Sequence, residues 1–223
     1  MKLRVLMVSG LSLGLAHGAS EHEERLQDAA IVLKEVMQAP DRAIPQELLD
    51  KAHCAVIVPG LKRGAFIFGA RYGKGYVSCR KEGGVGWSAP GTVRIEGGSI
   101  GLQIGGSETD VILLVMNERG AERLMSSQFT LGGDASVAAG PVGRTTKAQT
   151  DALLSAQILS WSRSRGVFAG VSLQGATLRQ DVSDNRELYG KTLENREIIE
   201  KHLPPPPAAR ELVSLLNKYS SRK

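Results

Sequence analysis

Aromatic side chains are scarce, at 4% of 223 residues. With no nucleic-acid-binding module in view, that scarcity argues against a surface that stacks bases. Two cysteines and four scattered histidines leave no cysteine-rich metal motif. The chain has neither a P-loop nor an H-E-x-x-H pair. Beyond the first twenty residues, no run is long and apolar enough to span a bilayer. Acidic residues are absent from one stretch in particular. Gly60 to Lys81, "GLKRGAFIFGARYGKGYVSCRK", holds Lys62, Arg63, Arg71, Lys74, Arg80 and Lys81 and no carboxylate, although the whole chain is only +5. All other residues together sum to −1.

Glycine is abundant, 26 residues, set among Val, Ile and Leu. That mixture predicts tight turns and close backbone approach in a β-rich fold. A chain of this length buries one good core. The opening "MKLRVLMVSGLSLGLAHGAS" has basic Lys2 and Arg4, an apolar run Val5–Ala16, and small residues at Ala16 and Gly18. Residues 1–18 therefore read as a secretory signal peptide, and the protein is expected to be exported, periplasmic or secreted. About 12 apolar residues are too few for a spanning helix, which needs ~20. No cysteine follows for a lipid anchor. In an exported chain, Cys54 and Cys79 could form one disulfide, or stand as two buried thiols.

The predicted class is α+β, a glycine-rich and mostly antiparallel β core, sheet or barrel-like, with helices at both ends. Residues 19–47 form the first helical segment. There Leu26, Ala29, Ala30, Leu33, Val36 and Met37 recur at helical spacing up to Pro40, and a short helix follows Pro45. From Cys54 the runs "CAVIV", "AFIFGA", "GYVSCR", "GTVRIE", "SIGLQIGG" and "DVILLVM" have the length and turn punctuation of strands. Asn117 is placed to cap "ERGAERLMS". "AQILSWSRS", "VFAGVSL" and "GATLRQD" are again strand-like, and Asp184 or Asn185 opens a helix containing Tyr189. Residues 192–223 add helical segments joined by the stiff Pro204–Pro207 connector.

Catalytic motifs fail on context. "GGSIG" places Ser99 in a G-x-S-x-G pattern, but a nucleophile elbow needs a strand–turn–helix. Here alternation simply continues, and the only downstream histidine is His202. "GVGWSA" resembles a dinucleotide fingerprint, yet Pro90 and a strand follow it instead of a helix. Asp110 and Asp134 have no visible catalytic partner and suit turn or capping roles. Neither catalysis nor any cofactor or metal is expected.

The basic stretch reads as a hairpin of "AFIFGA" and "GYVSCR" joined by "RYGKG", with residue 65 opposite roughly 81. That register gathers Lys62, Arg63, Arg80 and Lys81 at one end and leaves Arg71 and Lys74 at the turn. Such a cluster suits phosphate oxygens. Lysines and arginines at strand ends also serve as ordinary edge-protecting residues.

"LKRGAFIFGARYGKGYVSCR", "GWSAPGTVRIEGGSIGLQIGG", "TDVILLVMNERGAERLM", "TLGGDASVAAGPVGR" and "GVFAGVSLQGATLRQD" with "LYG" together resemble the SYLF domain over residues 48–191. The resemblance implies non-enzymatic binding of anionic phospholipid, phosphoinositide-like or a bacterial headgroup, on a basic surface mapping to the six cations above. It also implies a membrane-associating N-terminal helix, but the acidic Glu23, Glu24, Asp28 and Glu35 make packing on the β core the better role for 21–39. The SH3 and FYVE partner domains of eukaryotic members are not found in this sequence, which leaves their actin-related and endosomal roles open here. The other expected partner is a protein, bound through Pro204–Pro207 or the C-terminal helix.

Overall fold

The computed structural model describes residues 20–39, 43–65, 68–100, 105–141, 156–164, 167–168 and 173–220. The expected signal peptide lies outside the described residues. Helix α1, Glu21–Gln38, starts at a capping box in which Ser20 Oγ accepts from the Glu23 N–H while the Glu23 carboxylate accepts from the Ser20 N–H. It buries Leu26, Ala29, Ala30, Val32, Leu33 and Val36, each large side chain contributing about 1.5–3 kcal/mol. Helix α2, Gln46–Lys51, follows Pro45.

Nine strands among the described residues form one sheet. They are β1 Cys54–Ala65, β2 Phe68–Cys79, β3 Gly91–Ile100, β4 Gly105–Val115, β5 Gln128–Thr130, β6 Val137–Ala139, β7 Ile158–Ser164, β8 Val167–Phe168 and β9 Thr177–Gln180. Their order is β5-β9-β3-β2-β1-β4-β7-β6, with β8 on β7. The path has two ends, so the sheet is open, and only β6–β7 is parallel. The fold is α+β. Helix α3, Glu118–Leu124, is capped by Asn117, whose Oδ1 accepts from the Gly120 N–H at 2.8 Å.

The central strands bury both faces, which is why "CAVIV" and "VILLV" read as unbroken apolar runs. On one face Ala55, Ile57, Tyr76, Ile112, Leu114 and Trp161 pack against α1 and the C-terminal helix α6, Arg210–Tyr219. On the other, Val56, Val58, Leu61, Val77, Val111 and Leu113 meet Leu131, Leu173 and Leu178. The apolar side of α6, with Leu212, Val213 and Leu216, is buried within the domain, so of the two roles open to this helix, docking on its own domain and pairing with a partner, that face serves the first.

Two buried asparagines fasten the remaining helices, α4 Val182–Tyr189 and α5 Asn195–Glu200. Asn185 Oδ1 accepts from Thr92 N–H at 2.8 Å, and its amide donates to Asn195 Oδ1 at 2.8 Å. Asn195 in turn donates to Thr92 O at 3.0 Å. A Cβ on Gly91 would sit 2.4 Å from Asn195 Oδ1, so only glycine admits this closure. The cap of α4 is Asp181, not Asp184 or Asn185 as expected, because the Asp181 carboxylate reaches the Asp184 N–H.

The predicted hairpin register is wrong. Strand β1 runs on from "CAVIV" to Ala65, and β2 starts at Phe68, with Ala65 opposite Gly69 and Cys54 opposite Cys79. "RYGKG" lies in the middle of β2. One extra residue of β1 opens a bulge between Ile57 and Lys62, where Gly60 takes φ +59°. Val58 and Leu61 press across onto β2, so a Cβ on Gly75 would lie 2.2 Å from Ile57 O and one on Gly73 2.8 Å from Leu61 Cδ1. Those glycines serve close approach, not a turn. Phe66 and Ile67 lie outside the described residues.

Candidate functional site

Under this register the six cations occupy different places. Lys62 is exposed on β1, between its cross-strand neighbours Tyr72 and Glu108. Arg63 is half-buried and directly opposite Arg71, with Ser107 on its other side. Arg71 is 7% exposed; burial first and the charge of Arg63 second pull its guanidinium below the ordinary arginine range. These three stand at the end of the β1–β2 ribbon nearest the connection between its strands, named the open end here because Lys62 is exposed to solvent there.

Lys74 lies further along β2 and points to the α1 side. Its ammonium donates to Asp184 at 2.8 Å and lies 3.7 Å from Asp181. Burial opposes the ammonium, but the Asp184 hydrogen bond and the two carboxylate charges outweigh it and hold Lys74 above its usual value. Asp184 also takes Arg25 of α1 at 3.0 Å, and Asp181 takes Arg94 of β3 at 3.4 Å. The group joins α1, the sheet and α4.

Arg80 and Lys81 lie beyond the far end of β2, about 30 Å from Arg71 at some 3.3 Å per strand residue. Arg80 donates to Leu49 O at 3.0 Å and Ala52 O at 3.3 Å, and to both Ser220 O and Ser220 Oγ. Its guanidinium lies 4.1 Å over the Trp87 ring, and the Trp87 indole N–H donates to Ser220 O at 3.0 Å. It is a structural clamp. Lys81 is exposed beside it. At this same end a disulfide joins Cys54 and Cys79, across directly opposed residues. The expectation that Lys62, Arg63, Arg80 and Lys81 share one end fails on register, and Lys74 is neutralised by carboxylates more than a hundred positions away in sequence.

A cleft of about 1450 Å³ lies between α1 and the open end of the ribbon. Lys62, Arg63 and Lys74 line its sheet side, and Glu24 and Asp28 of α1 face them. Ile31 and Tyr72, 50% and 46% exposed, give it two apolar edges. Helical and strand periodicity mark those two residues as surface positions, but their meeting across one cleft follows only from the packing of α1. Asp110 supports the bulge: its carboxylate accepts from the Gly60 N–H at 3.0 Å and from Arg163 at 2.9 Å. Asp134 accepts from the Thr130 N–H at 2.7 Å in a turn. The backbone of Ser99 belongs to β3, paired with Gly69, with no turn into a helix. "GVGWSA" follows a short 3₁₀ turn, Glu82–Gly84, and leads into β3. Among the described residues, no group of His, Cys, Asp and Glu side chains is assembled for a metal ion. No described helix is long and apolar enough to cross a membrane.

A family model, Ysc84, described as "Las17-binding protein actin regulator", matches residues 96–219. The match takes in α4, α5 and α6 as well as the sheet from β3 onward. The chain is 32% identical over 209 residues to the human SH3 domain-containing YSC84-like protein 1, covering 91% of this chain and 60% of that protein. It is 31% identical to the rat protein of the same name, covering 91% and 61%. Against LAS seventeen-binding protein 3 of Saccharomyces cerevisiae the identity is 34% over 180 residues, covering 79% of this chain and 39% of the relative. The chain thus spans about three fifths of the length of the vertebrate relatives.

Proposed function

The chain belongs to the Ysc84 family, the SYLF domain, and from that premise we propose that it is a non-catalytic module that docks on anionic phospholipid through the open end of the β1–β2 ribbon. The observation that carries this reading is the state of Lys62 and Arg63. Neither forms an ion pair among the described residues, whereas Lys74 and Arg80 are held by carboxylates or carbonyls of the fold. First contact therefore falls to Lys62 and Arg63, a smaller set than the six cations of the sequence. Each cation near an anionic surface contributes about 1 kcal/mol. The two give weak, reversible association that salt screens over ~8 Å. Export is part of the proposal, and the Cys54–Cys79 disulfide suits an oxidising compartment.

Co-sedimentation with vesicles of phosphatidylcholine, with and without phosphatidylglycerol, tests it. The protein is expected to pellet with the anionic vesicles only and to be released by high salt. Lys62→Glu with Arg63→Glu reverses two charges, a swing of about 4 kcal/mol at ~1 kcal/mol per charge, and should abolish pelleting with the fold intact. Equal binding to neutral vesicles, or none to either, sinks the proposal.

A second reading, a protein partner, draws on the names of the relatives and on Pro204 and Pro207, which are exposed. A P-x-x-P segment suits an aromatic groove. Removing residues 203–223 would strip α6 from the core, so the clean test is Pro204→Ala with Pro207→Ala. Loss of a captured partner without loss of stability supports this reading; retention of the partner counts against it.

A further inference from the structure

The disulfide is not sealed inside the core. A second cleft, of about 410 Å³, opens beside it at the far end of the β1–β2 ribbon, on the sheet face opposite α1. Its floor is apolar. Cys54, Cys79, Met125 and Ile199 all line it, and all four belong to the buried cluster of that face. The volume falls within the ~300–1,000 Å³ of small-ligand sites. Cys54 is 0% exposed and Cys79 5%, so the bridge is reached from its Cys79 side.

The rim carries both signs of charge on separate elements. Helix α3 contributes Glu118 and Glu122, both exposed and one turn apart, the spacing that puts two side chains on one helix face. The turn after β2 contributes exposed Lys81, and α5 contributes Arg196, whose guanidinium also donates to Glu200 at 2.8 Å. Among the described residues, no ion pair joins Glu118, Glu122 or Lys81 to a partner. The carboxylates and the cations around this floor therefore do not cancel each other.

We infer that this cleft is a thiol–disulfide exchange site for a small zwitterionic thiol, of the amino-acid or peptide kind. Its ammonium meets Glu118 and Glu122, its carboxylate meets Lys81 and Arg196, and its sulfur meets the bridge. The site is independent of the lipid proposal and lies at the other end of the ribbon. In the step itself the ligand thiolate bonds to Cys79 Sγ and the Cys54–Cys79 bond breaks. The electron pair leaves on Cys54 Sγ, which takes up a proton in place of the one the ligand thiol shed. One disulfide is consumed and one is formed, so no outside oxidant is needed. The cations Arg80 and Lys81 at this end favour the departing thiolate. Strand pairing survives the opening, because the Arg80 N–H still donates to His53 O at 2.8 Å. Attack by Cys54 on the mixed disulfide restores the bridge and expels the ligand.

The test incubates the full chain with reduced glutathione or with neutral 2-mercaptoethanol, quenches with N-ethylmaleimide and maps both cysteines by mass spectrometry. Glutathione should be found on Cys79 and maleimide on Cys54, while circular dichroism remains native. Each rate is divided by that thiol's rate with 2-hydroxyethyl disulfide, which removes differences in intrinsic nucleophilicity. On that scale glutathione should lead by about fivefold, the size of one or two exposed charge pairs. Lys81→Gln with Glu122→Gln should bring the two thiols level and leave the 2-mercaptoethanol rate unchanged. In single variants, oxidised glutathione should label Cys79 of Cys54→Ser at least about tenfold faster than Cys54 of Cys79→Ser, since access governs exchange. If either serine variant fails to fold, the wild-type map alone decides. Absence of an adduct on the folded chain, an adduct formed only in urea, or attachment to Cys54 overturns the site. So do equal normalised rates for the two thiols, or a glutathione lead that survives the double variant.

Discussion

The two ends of the β1–β2 ribbon are built from the same residue types and serve opposite ends. At the closed end, Arg80 is surrounded by acceptors: carbonyls of Leu49, Ala52 and Ser220 and the ring of Trp87. The disulfide ties β1 to β2 beside it. At the open end, Lys62 and Arg63 meet no ion-pair partner among the described residues, and Arg63 is set against a second arginine. A cation's role is decided by the acceptors the fold brings to it. Where backbone carbonyls converge, charge becomes structure. Where the fold brings no carboxylate among the described residues, as at Lys62 and Arg63, charge stays on the surface of the ribbon.

The closed end is where substitution should do the greatest damage. Arg80→Ala leaves several carbonyls without their donor, at roughly 1–3 kcal/mol each, and unseats Ser220 and with it the end of α6. A loss of roughly 3–6 kcal/mol is expected in urea unfolding. Vesicle binding by the remaining folded protein should be unchanged; a parallel loss of binding would mean the ends are not independent. Next in size is the disulfide. Replacing Cys54 and Cys79 with alanine releases a loop spanning a sequence separation of 25, worth about 3 kcal/mol by chain entropy. The same unfolding experiment under oxidising and reducing conditions checks it, and a wild type indifferent to reductant would refute a stabilising bridge.

Local signals carried much of this fold and little of its site. The spacing of Leu26, Ala29, Ala30, Leu33 and Val36 marks the buried side of α1, and Asn117 announces α3, because both depend on residues a few positions apart. The hairpin register does not. Gly73 and Gly75 look like turn residues, and only the bulged strand pressing on them gives their real purpose. One signal could have corrected most of this: pairing Cys54 opposite Cys79 centres the turn on residues 66–67 and puts Arg71 opposite Lys62, one position from its observed partner Arg63, a difference that the bulge alone makes. The partners that neutralise or anchor the cations were beyond reach, since Asp184 is 110 positions from Lys74 and Ser220 is 140 from Arg80.

Between the two ends stands Lys74, and its partner Asp181 sharpens the contrast through pH. Burial pushes the Asp181 carboxyl upward, but bonds from the Ser183 hydroxyl and the Asp184 N–H, with the charges of Lys74 and Arg94, overcome that and hold it below the ordinary aspartate value. A carboxylate with a depressed folded pKa binds protons more readily in the unfolded chain. Its stabilising contribution is complete above the unfolded value near 3.8 and disappears as pH falls through the lower folded value. Urea midpoints should therefore drop as pH is lowered from 5 towards 3, and Asp181→Asn should flatten that slope. At neutral pH the variant should lose about 2 kcal/mol, as for a charge-assisted hydrogen bond, less than either change at the closed end. Lys62→Gln, at the open end, should leave the slope as it is. An Asp181→Asn protein that keeps the full acid dependence would show that Lys74 is neutralised without contributing to the fold, and would place the middle of the ribbon with its open end.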